Sequence, residues 1–93
     1  MELKNKRVQY TVTNEDSNLK LTGEISLKDQ TNDFSFNGSL SDLSDNYLGN
    51  FYYNEREDEK VDKSINGIDK DDLANAEALI ASTITALRNE LNF

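Results

Sequence analysis

The chain contains no cysteine, no histidine, no tryptophan and no proline, and its four glycines are scattered singly. Without cysteine there is neither a disulfide nor a thiolate to hold a metal. Without histidine the commonest general base and the commonest neutral metal ligand are both missing. Single glycines make no phosphate-cradling loop, and candidate nucleophiles such as Ser82 and Thr85 have no histidine to activate them. Carboxylates are plentiful, but none sits in an apolar setting that would raise its pKa for acid–base work. The expected class is therefore non-enzymatic, with no cofactor. Long apolar runs are missing too. Nothing approaches the ~18 residues of a membrane span, and the opening MELKNKRVQY has no apolar signal core. The reading is a soluble, cytoplasmic protein.

What is present is charge and pattern. Of the 93 residues 35% are hydrophobic and 30% charged, so the core must be small and the chain a single domain, 1–93. Net charge is −8 and unevenly spread. Residues 1–28 hold five basic against four acidic side chains, residues 29–77 four against thirteen, and residues 78–93 one of each. That balance argues against direct contact with nucleic acid or an anionic membrane and suits a basic protein partner.

In chain order, four segments alternate with period two. Residues 7–13 put Val8, Tyr10 and Val12 on one face; 19–28 put Leu19, Leu21, Ile25 and Leu27 with Gly23. Residues 33–40 align Phe34, Phe36 and Leu40 with Gly38. A glycine on each apolar face suggests close approach of a helix, or a bulge that curls the sheet. In 47–54 both faces carry apolar residues; Phe51 is expected inside, Tyr52 exposed, and Leu43 in the preceding turn tucked inward. Residues 55–68 form a charged loop, with an alternative hairpin into a short fifth edge strand through Val61 and Ile65.

The only long helical pattern spans about 70–91. At 100° per residue Leu73, Ala76, Ile80, Ile84, Leu87 and Leu91 fall in an arc of roughly 80°. Asp69 is the expected N-cap, with Asp71 and Asp72 on the first turn and Arg88 on the last. One apolar sheet face needs one cover, and this helix is the only element available. The fold class is α+β: a two-layer domain of a four-stranded antiparallel meander, with the optional fifth strand, under one C-terminal helix.

Two surfaces stand out as partner sites. The first is acidic: Glu55, Glu57, Asp58, Glu59, Asp62, Asp69, Asp71 and Asp72 within eighteen residues, against Arg56, Lys60, Lys63 and Lys70. Such carboxylates can imitate a phosphate track in the basic groove of a nucleic-acid enzyme, and the run 55–59 is expected to be dispensable for folding. In size, acidity and sheet-plus-helix build the chain is similar in type to phage-encoded inhibitors, though no motif identifies a family. The second surface is the back of the helix. Ala78, Ser82, Thr85 and Ala86 lie opposite the core stripe, and Leu79 lies about 100° from its centre. No charge occurs from Ala78 to Leu87, where an exposed helix normally shows Lys and Glu. A homodimer through this face is the rival reading. Finally, Asp62, Ser64 and Asn66 before Gly67 match the start of an EF-hand loop, but its twelfth position falls on Leu73 instead of a carboxylate. That leaves weak calcium binding at most, and no metal is assigned.

Overall fold

The computed structural model describes residues 7–28, 33–56 and 60–91. Five strands follow one another in both sequence and space: β1 (Arg7–Glu15), β2 (Lys20–Lys28), β3 (Phe34–Ser41), β4 (Tyr47–Glu55) and β5 (Val61–Asn66). All four pairings are antiparallel, as short connections favour. The helix α1 (Leu73–Leu91) closes the chain. The alternative fifth strand is therefore the one adopted, and the charged loop is shorter than expected. The expected turn at residues 29–32 lies outside the described residues.

Register carries the alternation across the whole sheet. Tyr10, Ile25, Phe36 and Tyr53 fall in one row, and Val8, Leu27, Phe34 and Glu55 in another. This face meets the helix; the opposite face is polar, Gln, Thr, Ser, Asn, Lys, Glu and Asp, with Tyr52 the aromatic residue among them. Leu19, Leu21, Ile25, Phe34, Phe36, Leu40 and Phe51 are buried against Ala76, Leu79, Ile80 and Ile84. Phe36 meets Phe51 edge-on at 5.0 Å between centroids, a favoured aromatic geometry.

The mixed facing of β4 has a cause. Leu40 pairs with Gly49 but Ser41 pairs with Tyr47, so Leu48 is an extra residue and the pleat changes phase there. Leu48 packs on the core while Tyr47 is left 67% exposed. Leu43 is exposed, against expectation, because its turn closes on itself: Asp42 accepts from the N–H groups of Ser44 and Asn46 at 2.8 and 3.0 Å.

The two glycines on the apolar face answer to neither suggested cause. Gly23 and Gly38 are cross-strand partners. A Cβ on Gly38 would lie 2.1 Å from the Thr22 carbonyl oxygen, and one on Gly23 2.5 Å from that of Asn37. What crowds them is the neighbouring strand's backbone, with the Phe51 ring over Gly23, and not the helix.

The helix begins three residues later than its charge pattern suggests. Residues 70–72 are a turn, in which the Asp72 N–H donates to the Asp69 carbonyl. The Asp72 carbonyl then accepts the first helical bond, from the Ala76 N–H at 2.9 Å, so Asp72 and not Asp69 occupies the N-cap position. Leu73, expected in the core, sits at the helix entrance and is exposed. The buried arc is also wider, about 140° from Leu79 to Ile84. The added width comes from the Leu79–Thr83 flank of the helix, which reaches β1: the Asn14 amide donates to the Thr83 hydroxyl at 2.9 Å. Thr83 in turn donates to the Leu79 carbonyl, so this buried hydroxyl is satisfied. Among the described residues no helix is long and apolar enough to cross a membrane.

Candidate functional site: an acidic end of the sheet

A meander sends alternate turns to opposite ends of the sheet, which splits the acidic segment 55–72. Glu55 pairs with Val61 at one end of the β4–β5 hairpin. Asp69, Asp71 and Asp72 follow Asn66 at the other, roughly 17 Å away along a six-residue strand.

At the first end the carboxylates are committed to the protein's own cations. Glu55 accepts from Arg88 in a half-buried ion pair, and the Arg88 guanidinium lies 5.0 Å over the Phe34 ring. Phe34 stacks on Tyr53 at 5.6 Å, and the Tyr53 hydroxyl reaches Glu55 at 3.5 Å. Burial first, and the Glu55 charge second, push the Tyr53 phenol above its ordinary pKa. Asp62 is paired with Arg56. Glu57, Asp58 and Glu59 lie outside the described residues. Glu55 thus ties the last turn of the helix to β4 while its side chain stays 27% exposed, and it stands at the opposite end of the sheet from Asp69, Asp71 and Asp72. A burial-based signal could have found it, since Arg88 lies one residue from the core stripe.

The second end gathers acids that are distant in sequence. The β1–β2 turn brings Glu15 and Asp16, the β3–β4 turn Asp42 and Asp45, and the β5–α1 connection Asp69, Asp71 and Asp72. Against these seven stand Lys20 and Lys70 among the described residues. Proximity of the first two turns is shown by Lys20, which donates to Asp45 at 2.9 Å and feels Glu15 and Asp42 as well. Its bond to Asp45, and then the Asp45 charge, hold its ammonium above the ordinary lysine value.

Several of these carboxylates are fixed by their turns. Asp16 Oδ1 accepts from the N–H groups of Asn18 and Leu19 at 2.7 and 2.8 Å. Asp42 accepts from Asn46 through both backbone and side chain, and from the Ser44 N–H; these bonds hold its carboxyl below the usual carboxylate range. Asp45 takes a left-handed φ of 68°, which Asp tolerates better than most residues. A shallow depression of about 440 Å³ opens beside Glu15 and Lys20. The arrangement is an array of ordered, solvent-facing negative charges. Among the described residues no group of three or more Asp or Glu converges to hold a metal. Asp62, Ser64 and Asn66 lie at alternate positions of an extended strand, about 7 Å apart, and so do not wrap one ion as a loop would.

On the helix, Ala78, Ser82, Thr85 and Ala86 are exposed as expected, but Leu79 is 2% exposed and belongs to the core. The correction follows from the wider arc that the sheet covers. It removes the apolar anchor from the proposed helix contact face. Ser82 and Thr85 donate to carbonyls of their own helix, Leu79 and Ala81, at 3.1 Å each. A groove of about 370 Å³ runs between the helix and β4–β5, with Lys63, Glu77 and Arg88 of mixed sign around Tyr53, Ile65 and Ile84.

No protein-family model, no curated protein and no solved structure matches the chain.

Proposed function

We propose that the protein is a small, non-enzymatic binding module of the cytoplasm, which engages a basic protein partner through the acidic end of its sheet. In its finer form it is an inhibitor of phage type that imitates nucleic acid. The observation that carries this reading is the convergence of Glu15, Asp16, Asp42, Asp45, Asp69, Asp71 and Asp72 from three separate turns onto one end. Like charges brought together cost self-repulsion, so their concentration on one end is better suited to a cationic partner than to stability. Hydrogen bonds within the turns hold Asp16 and Asp42 in place, so a partner meets ordered charges and loses less in fixing them. Neither nucleic acid nor an anionic membrane suits such a surface as a direct ligand.

The test is binding of the full chain to a fluorescent oligo-arginine peptide across a salt series. Binding should weaken as salt shortens the screening length. The triple variant Asp69→Asn, Asp71→Asn, Asp72→Asn should bind less tightly and depend less on salt, whereas Glu55→Gln should bind like wild type. Equal binding by the triple variant would retire the reading. Capture of a basic protein by the wild type and not by the triple variant, identified by mass spectrometry, would name the partner.

A second reading is a homodimer across the helix face of Ala78, Ser82, Thr85 and Ala86. In its favour, the Ser82 and Thr85 hydroxyls are satisfied within the helix and ask nothing of a partner. With Leu79 buried, small side chains alone would have to carry the contact. Loss of a dimer on Ser82→Arg is its test.

A further inference from the structure

Among the described residues β1 and β5 are the two edges of the sheet, and they are built differently. β5 is short, six residues, and carries Asp62 and Lys63, with Asp62 tied to Arg56. Charges on a short strand are a common protection against edge-to-edge pairing. β1 is nine residues long, in unbroken register with β2, and has no proline or bulge. Its interior, Val8 to Asn14, carries no charge, so among the described residues the strand lacks the protection that β5 has. In the β1–β2 turn the Asp16 N–H donates to the Leu19 carbonyl. Alternation along an antiparallel ladder then turns the backbone groups of Val8, Tyr10, Val12 and Asn14 toward β2, and those of Gln9, Thr11 and Thr13 outward. On the helix side of the strand, Val8 and Tyr10 remain 37% and 44% exposed.

We propose that β1 pairs with the β1 of a second copy of this chain, antiparallel about a two-fold axis at Thr11, joining two five-stranded sheets into one continuous sheet. Three features select a second copy over an unrelated extended peptide. The first is charge order. In sequence Arg7 opens the strand and Glu15 ends it, and an antiparallel register about Thr11 pairs position 7 with position 15, residue types of opposite charge. β1 is net neutral in a chain of −8. The second is side-chain matching: the same register sets Tyr10 opposite Val12 of the other copy, an aromatic–β-branched pair of the favourable kind, and Thr11 opposite Thr11. The third is cover. The helix meets β1 at Asn14, through Thr83, and leaves Val8 and Tyr10 open. Antiparallel pairing puts the open end of each strand beside the covered end of the other. It also sends the two acidic ends to opposite sides of the assembly, so the repulsion between two chains of −8 is reduced. An unrelated peptide gains the hydrogen bonds but none of these matches. This proposal is independent of the basic partner: it uses the edge of β1, and the acidic end stays open.

The experiment uses the full chain in three forms. Sedimentation equilibrium of the wild type should give a dimer at high micromolar concentration. Thr11→Pro removes one outward N–H at the axis, a position where an edge strand tolerates proline, and should raise the dissociation constant on the order of tenfold or more. Circular dichroism checks that this variant is folded. Because the native chain has no cysteine, Thr11→Cys can only cross-link between copies, and mild oxidation should give a covalent dimer while Ser82→Cys stays monomeric. Should Thr11→Pro fail to fold, the Thr11→Cys cross-link decides alone. A monomeric wild type, a dimer abolished by Ser82→Arg, or the absence of a Thr11→Cys cross-link would each overturn the proposal.

Discussion

At one end of the sheet Glu55 accepts from Arg88, Arg88 lies over Phe34, and Phe34 stacks on Tyr53. At the other, Asp69, Asp71 and Asp72 stand at the start of the same helix, all facing or half-facing solvent. Both ends draw on one acidic segment, yet one spends its charge inside the fold and the other leaves it outside. The difference is set by what reaches each end. The last turn of the helix carries a cation and lies against β3 and β4; its first turn carries none. A carboxylate is structural where the fold supplies a cation and an aromatic wall, and is a surface charge where it does not.

The largest way to break the comparison is to detach the element that joins the ends. Ile84 is 6% exposed, near the midpoint of the helix along its length and at one margin of its buried face. Ile84→Ala should cost about 2–5 kcal/mol, read by urea unfolding, and should loosen both ends together. Next comes Arg88→Ala, which leaves Glu55 half-buried without this cation and uncovers the Phe34 ring. About 2 kcal/mol is expected, discounted for the partial exposure of both partners. Glu55→Gln keeps a hydrogen-bond acceptor and should cost about 1 kcal/mol by the same assay. A variant at position 55 as stable as wild type would show that the pair is only a surface contact. The same measurement tests, at its first residue, the expectation that the run 55–59 is dispensable for folding.

At the acidic end the effects are smaller and depend on pH. The Asp42 carboxyl is held below its unfolded value by its bonds to Asn46 and Ser44. Its contribution to stability is therefore complete above the unfolded carboxylate range, about pH 4, and is lost as pH falls through the folded value. Asp42→Asn should lower the melting temperature modestly at pH 7 and hardly at all at low pH, which flattens that acid limb of the profile. Smallest of all, neutralising Asp69, Asp71 and Asp72 together should leave the melting temperature unchanged or slightly raised, as repulsion is relieved. A marked loss would mean that these carboxylates, like Glu55, hold the fold together.

Much of this was legible from residues alone. Alternation placed Ile25, Phe36 and Phe51 inside and Tyr52 outside, and helical spacing found Ala76, Ile80 and Ile84, because side-chain period is a local property. Charge counting found the acidic excess but not its grouping. Asp16 and Asp42 are as much a part of the acidic end as Asp69, although in sequence they lie fifty-three and twenty-seven positions from it. No local pattern carries that information.

By itself, then, the sequence determined the α+β class, the inward faces of the strands, the C-terminal helix and the negative charge, since each follows from a spacing or a count over a few residues. Tertiary structure decided the rest. It turned 61–66 into a fifth strand by offering β4 a partner, shifted the pleat of β4 at Leu48, and carried the helix against β1 so that Leu79 and Thr83 went inside. It also sorted carboxylates of one composition into an ion-paired end and an open one. The physical reason is the same in each case: burial and pairing depend on which segments meet, and meeting is set by sheet order and twist, which no single stretch of chain contains.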